Sequence, residues 1–348
     1  MIRWALAGLA VVAVVAVATG AAWAYVNRTL DTSLNFASQP AGETGYVFEV
    51  APGSSLTRVA NNLAGDGLLQ NPRLLSWYGQ FVGKAANIQA GEYLVRPGVT
   101  TRELLELLVS GKVRLHALTV IEGWTVGELL AAIAEHPALT KTLQATSATE
   151  LATELALPVE HAEGQFFPDT YRFAKGTTDV EFLRRAHTAM QETLERVWNG
   201  RVAGLPLKTP YEALTLASII ERETGLVAER RQIAGVFVRR LQERWRLETD
   251  PTVIYGLGDN FDGNLRRRDL QSDTPYNTYT RAGLPPTPIA LPGLGALQAA
   301  VDPAPGDAMF FVASGANDGS HVFSATLAEH NRAVQRYLAA LRSNSSHR

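Results

Sequence analysis

Residues 209–225, TPYEALTLASIIERETG, decide the reading of the chain: they spell a sharply bounded helix with a carboxylate where a core helix should carry an apolar residue. Thr209 can cap it, Pro210 suits its first turn, and Glu212, three residues after the cap, predicts a capping box. Gly225 is expected to end it in a left-handed turn. At about 100° per residue, Leu214, Ala217 and Glu221 share one side, Leu216 and Ile219 cover the other, and Ile220 lies between. A helix that is apolar nearly all round belongs in a core, so Glu221 is expected to be partly desolvated. Its carboxylate would lie back over the turn of Ala217 and Ser218, whose small side chains leave room for a ligand. A desolvated carboxyl holds its proton to higher pH, as a general acid near neutrality requires. The alternative is an ion pair with an arginine of the next helix, such as Arg239 or Arg240. Glu223, some 200° away on the wheel, reads as a solvated or salt-bridged residue.

The chain has 348 residues and a net charge of −2, enough for two domains and too neutral for a nucleic-acid partner, since its only basic run is 266–268. It has no cysteine, which excludes a disulfide framework and thiolate metal sites. Residues 4–25 are apolar or small and would span about 33 Å as a helix, enough for the hydrocarbon core. They predict a single-pass membrane anchor, with Trp4 at one end and Trp23 and Tyr25 at the other as an aromatic belt. Arg3 and the amino terminus place residues 1–3 in the cytoplasm and the remainder outside it. A cleaved signal peptide is the competing reading, because Ala22-Trp23-Ala24 resembles a cleavage site. Residues 26–45 read as a linker.

From Tyr46 onward a strand, a glycine turn, a hydroxyl cap and an amphipathic helix recur. The units start at 46–50, 91–95 and 115–121, and their helices at Leu56, Thr101 and Val126. Pro-Gly followed by Ser or Thr resembles the LysM carbohydrate-binding module over 46–114, although strand–turn–helix units look alike by default. Residues 115–342 are expected to form a mixed α+β catalytic domain and 343–348 a polar tail, so the fold class is α+β. Within this domain, 163–173, EGQFFPDTYRF, places four rings around Pro168-Asp169, either to pack the core or to face a sugar. Helices are expected over 180–197, 227–244 and 327–341. Residues 247–258 and 272–293, rich in Pro, Gly, Thr and Tyr, read as long functional loops.

The stretches EGQFFPDTY, LTLASIIERET, RLETDPTVIYGLG, PYNTY, GLPPTPIALPG and HVFSATLAEHN, in that order between Glu163 and Asn331, together resemble the YceG-like family of endolytic murein transglycosylases. The resemblance implies a lyase of the inner (cytoplasmic) membrane that cuts nascent peptidoglycan strands between N-acetylmuramic acid and N-acetylglucosamine. It makes Glu221 the catalytic residue and peptidoglycan synthases the expected partners, with no metal and no organic cofactor. Glycosidases that use water need two carboxyl groups. A lytic transglycosylase needs one, because the C6 hydroxyl of the muramyl sugar attacks its own C1 and leaves a 1,6-anhydro end.

Substrate-binding roles are expected for Ser218, Asp250, Tyr276, Asn277 and Tyr279, against a turn-forming role for Asp250 and loop packing for the others. His321 is open between structure and binding. The alternative function is a non-catalytic glycan-binding scaffold of the wall-synthesis machinery. A pyridoxal-dependent lyase is excluded on residues, because the five lysines all precede Tyr211.

Overall fold

The computed structural model describes residues 2–34 and 45–345, and side chains within 8–34 and 45–342. Outside these limits fall Met1 of the expected cytoplasmic end, residues 35–44 of the expected linker, residues 346–348 of the expected tail, and the Trp4 ring. The chain folds into two compact units, Met1–His116 with Phe173–Gly176, and Ala117–Arg172 with Thr177–Arg348.

The first unit holds helix α1 (Ile2–Leu30), strand β1 (Tyr46–Val50), helices α2 (Leu56–Gly65) and α3 (Pro72–Phe81), strand β2 (Gly91–Val95) and helix α4 (Thr101–Ser110). The two strands pair antiparallel, Tyr46 opposite Val95 and Val50 opposite Gly91. Ser55 caps α2 by accepting from the Arg58 N–H, and Thr100 with Glu103 closes a full capping box on α4. Leu56, Leu63, Leu75, Tyr93, Leu104 and Leu108 meet in one core. Leu30 of α1 is part of that core. The expected 26–45 linker is therefore corrected at its start: α1 runs on past Tyr25, and its last turn is packed domain. Arg102 ties that turn down through Asn27 Oδ1 (3.0 Å), Asp31 Oδ1 (2.8 Å) and Tyr78 Oη (2.6 Å).

The division between the units falls inside strands β3 (Leu115–Thr119) and β4 (Thr170–Ala174). The second unit continues with α5 (Val126–Glu135), α6 (Ala148–Glu154), α7 (Asp179–Asn199), α8 (Pro210–Glu223), α9 (Arg230–Gln242), α10 (Asp250–Leu257), α11 (Arg267–Gln271), α12 (Leu294–Val301), β5 (Phe310–Ala313), β6 (His321–Ser324) and α13 (Leu327–Ser345). Helix α8 is its axis, buried without a break from Ala213 to Ile220 and packed by α7, α9, α10 and α12. Phe166, Tyr171 and Phe173 of the aromatic stretch are core residues.

Several expectations change at the ends of elements. Thr209 caps α8, but Glu212 takes the Lys208 N–H instead of closing the box on Thr209. The helix ends at Thr224 in extended backbone (φ −146°, ψ 133°), so Gly225 provides no left-handed stop. The expected 227–244 helix divides into a 3-10 turn and α9. Asp250 opens helix α10 instead of turning a loop, since Pro251 fits the first turn and lacks only an N–H that the turn leaves unused. Helix α13 runs into the expected polar tail as far as Ser345.

Gly164, at φ 79°, locks the 163–168 segment onto the 284–293 segment: a Cβ there would stand 2.6 Å from Pro288. Gly204, at φ 82°, has nothing within 4 Å of such a Cβ. Gly164→Ala is expected to cost about 3 kcal/mol, left-handed strain plus overpacking, and Gly204→Ala about 1 kcal/mol from strain alone. Urea unfolding of the two variants tests the difference; equal losses would mean that the Pro288 approach carries no weight.

Candidate active site

Glu221 and Glu223 close the last turn of α8 and enter different surroundings. The Glu221 side chain is 5% exposed and both its oxygens are engaged: Oε1 accepts from Arg230 Nη2 at 2.9 Å and Oε2 from the Gly293 N–H at 2.9 Å. Gly293 is the N-cap of α12, so the carboxylate also sits on the positive end of that helix. Burial pushes the Glu221 carboxyl above the usual glutamate range; the Gly293 N–H and Arg230 pull it back, and Glu122 adds to the rise. The two donors, one a cation and one at a helix N-terminus, hold the carboxyl group in place and oppose the rise that burial causes. The arginine is Arg230, first residue of α9, which corrects the expected Arg239 or Arg240. Those two turn to backbone carbonyls, Arg239 to Ala308 (2.7 Å) and Arg240 to Met309 and Leu247 (2.8 Å each).

Glu223 is neither solvated nor salt-bridged. Burial pushes its carboxyl up to about 7; the Thr249 hydroxyl lowers it, Asp250 raises it again, and His321 lowers it. Oε1 accepts from Thr249 Oγ1, while Oε2 has no partner among the described residues and is not sealed from solvent. Around it, Tyr279 Oη donates to Asp250 Oδ1 at 2.6 Å, and His321 Nδ1 lies 2.7 Å from Glu229 Oε2. Asp250 and Tyr279, expected to bind substrate, gather at Glu223, and His321 joins them. The helical wheel alone hides this, because the segments that cover Glu223 arrive from residues 249–250, 279 and 321.

The other residues expected to bind substrate, Ser218, Asn277 and Tyr276, make hydrogen bonds within the fold. Ser218 is fully buried; its hydroxyl donates to the Thr215 carbonyl (2.7 Å) and accepts from the Ile289 N–H (3.0 Å), leaving no face for a ligand. Asn277 is likewise buried and knots its own loop, giving Nδ2 to the carbonyls of Asp269, Leu270 and Ser272 and taking the Tyr279 N–H on Oδ1. Both side chains are buried and make their hydrogen bonds within the fold. Tyr276 bonds Thr287 at 2.9 Å and faces Tyr255 edge-on at 4.9 Å. Its ring helps line a cavity of about 570 Å³ with His161, Glu163, Arg222, Tyr255 and Phe261.

Glu163 is a carboxyl group with a strongly shifted proton affinity that the sequence did not single out. Burial pushes it up to about 7, against the Val126 N–H and the Tyr255 hydroxyl, which lower it. Its oxygens accept from the Val126 N–H at 3.0 and 3.2 Å and from Tyr255 Oη at 3.1 Å, and the residue is 2% exposed. It satisfies the first free N–H of α5. Glu223 alone of the three carboxyl groups combines raised proton affinity with an open oxygen.

The profile of the YceG-like family matches residues 48–336. The endolytic murein transglycosylase of Bacillus subtilis is 30% identical over 315 residues, covering 86% of each chain. That of Streptococcus pneumoniae strain R6 is 25% identical over 321 residues, 83% of this chain and 58% of its own length. A crystal structure of a YceG-like protein from Listeria monocytogenes superposes with a TM-score of 0.52 and 28% identity, over 84% of this chain and 99% of its own. With a profile that spans most of its length and a relative at this identity and coverage, the chain belongs to the YceG-like family.

Proposed function

We propose that the chain is a peptidoglycan lytic transglycosylase in which Glu223, and not Glu221, donates the proton. The observation that carries the choice is the Glu223 carboxyl, pushed up to about 7 and open at Oε2, beside Asp250 and Tyr279. Glu223 protonates the oxygen that links N-acetylmuramic acid to N-acetylglucosamine. The bond from C1 to that oxygen breaks, and the muramyl C6 hydroxyl bonds to C1. Its proton passes to the Glu223 carboxylate, which restores the acid. The hydroxyl belongs to the substrate and is already placed, so the ring closure has the advantage of an intramolecular reaction. Asp250, oriented by Tyr279, holds Glu223 in its acid form and receives sugar hydroxyls. Glu221 is the structural partner of Arg230.

The names of the relatives support an internal cut in the glycan strand. Apolar α1, with a candidate span at Gly8–Leu30, supports anchoring in the cytoplasmic membrane with the chain that follows α1 outside the cytoplasm. The packing of its last turn favours a retained helix over a cleaved signal. The strand–helix–helix–strand order of β1, α2, α3 and β2 supports a LysM-like glycan contact in the first unit. Wall synthases remain the proposed partners.

Glu223→Gln is expected to lower formation of 1,6-anhydromuramyl ends about a hundred- to ten-thousand-fold. Glu221→Gln is expected to cost about 3 kcal/mol of stability by leaving Arg230 underpaired, while the folded fraction still forms product. Mass spectrometry of fragments released from isolated peptidoglycan decides the assignment: anhydro ends from Glu223→Gln at the wild-type rate would reject it.

The pH profile has a definite sign. The acid form is the active one, so activity is expected to hold below about 7 and fall as pH rises through it. Asp250 raises the affinity of Glu223 for its proton, so Asp250→Asn is expected to move this descending limb to lower pH. A limb that stays in place would show that Asp250 does not act on Glu223.

A further inference from the structure

The first unit carries three neighbouring aromatic rings that its core does not use. Trp77 and Phe81, one turn apart on α3, stack at 5.3 Å and 16°, and Phe81 meets Trp23 of α1 at 5.8 Å. All three are exposed: Trp77 by 45%, Phe81 by 62% and Trp23 by 49%. Val82 extends the patch. Rings with one apolar body and a polar edge, like those of tryptophan, gather at the headgroup level of a bilayer.

Helix α1 fixes the position of this patch. Its side chains are exposed without a break from Gly8 to Tyr25, and from Val26 they turn into the core of the unit. The border between lipid-facing and packed residues therefore falls beside Trp23. No loop intervenes, because α1 is one helix to Leu30 and Arg102 ties its final turn to α4. Whatever depth Trp23 takes in a membrane, Phe81 and Trp77 take with it.

We propose that the Trp77, Phe81 and Val82 face of α3 inserts into the headgroup layer of the bilayer that α1 crosses, and so holds the first unit in one orientation on the membrane. The inference rests on the reading of α1 as an anchor. The patch is continuous with the lipid-facing surface of α1, which leaves a soluble partner no room to cover it without displacing lipid.

The absence of cysteine allows a single nitroxide label on the full chain, placed at Val82→Cys or, as a control, at exposed Ser110→Cys. In vesicles of phosphatidylethanolamine and phosphatidylglycerol, the label at 82 is expected to lose accessibility to aqueous nickel and gain it to oxygen, and the label at 110 to do neither. Adding Trp77→Ser with Phe81→Ser should return the label at 82 to water while the chain stays in the vesicles. Equal nickel accessibility at 82 and 110 in retained protein overturns the inference and leaves the anchor standing. Release of the chain by an alkaline wash overturns both readings. Shielding at 82 that appears only with added glycan strands, or only at high protein density, assigns the rings to a sugar or to a second copy and also overturns it.

Discussion

The second unit depends on one buried ion pair. Helix α8 offers the core an unbroken apolar surface from Ala213 to Ile220, and the next residue is a carboxylate that burial alone would make costly. Arg230 and the Gly293 N–H resolve that cost, and in doing so they bring the start of α9 and the start of α12 to the same point on α8. Gly295 takes part by lacking a side chain, since a Cβ there would lie 2.4 Å from Arg230 Nη1. Three helices thus share one charge-neutralising contact. Such a pair adds little net stability over an apolar replacement, but removing one partner strands the other, so the pair constrains which helices can meet.

The same turn separates two chemistries by direction. Glu221 and Glu223 lie on different sides of the helix end, two residues apart, and face different neighbours. Glu221 faces a guanidinium, a backbone N–H and a helix N-terminus, which favour charge, against burial and Glu122, which oppose it and leave its proton affinity raised. Glu223 faces a hydroxyl donor and a second carboxylate, with burial dominant, and keeps its proton to about 7. A reading based only on how apolar each side of α8 appears scores desolvation and omits the charges that arrive from elsewhere.

This divides what the sequence could disclose from what it could not. Local signals were readable: Ser55, Thr100 and Thr125 cap their helices as their spacing suggests, and the strands at 46–50 and 91–95 stand where alternation and glycine place them. Non-local facts were hidden. The arginine that meets Glu221 is nine residues on, at the start of α9, where a 3-10 turn shifts the helix away from simple extrapolation. The end of α1 was hidden because a polar composition after Tyr25 resembles a linker, while Asn27 and Asp31 are in fact bonded to Arg102 in α4. Asp-Pro at 250–251 suits a turn and a helix start equally; the packing of α10 against α8 decides for the helix.

The hydroxyl- and amide-rich segment at 272–293 makes the same point about composition. Its polar groups look available for sugars, yet most are spent on the segment itself. Asn277 closes four bonds, Tyr276 meets Thr287, and Thr280 and Arg281 bind Asp273. A loop that satisfies its own backbone this way has little freedom left to lose, so its rigidity is paid before any glycan arrives. Tyr279 of this segment donates its hydroxyl to Asp250, whose charge raises the proton affinity of Glu223. Polar residues in the loop are thus bonded mostly to one another, and through Tyr279 to Asp250.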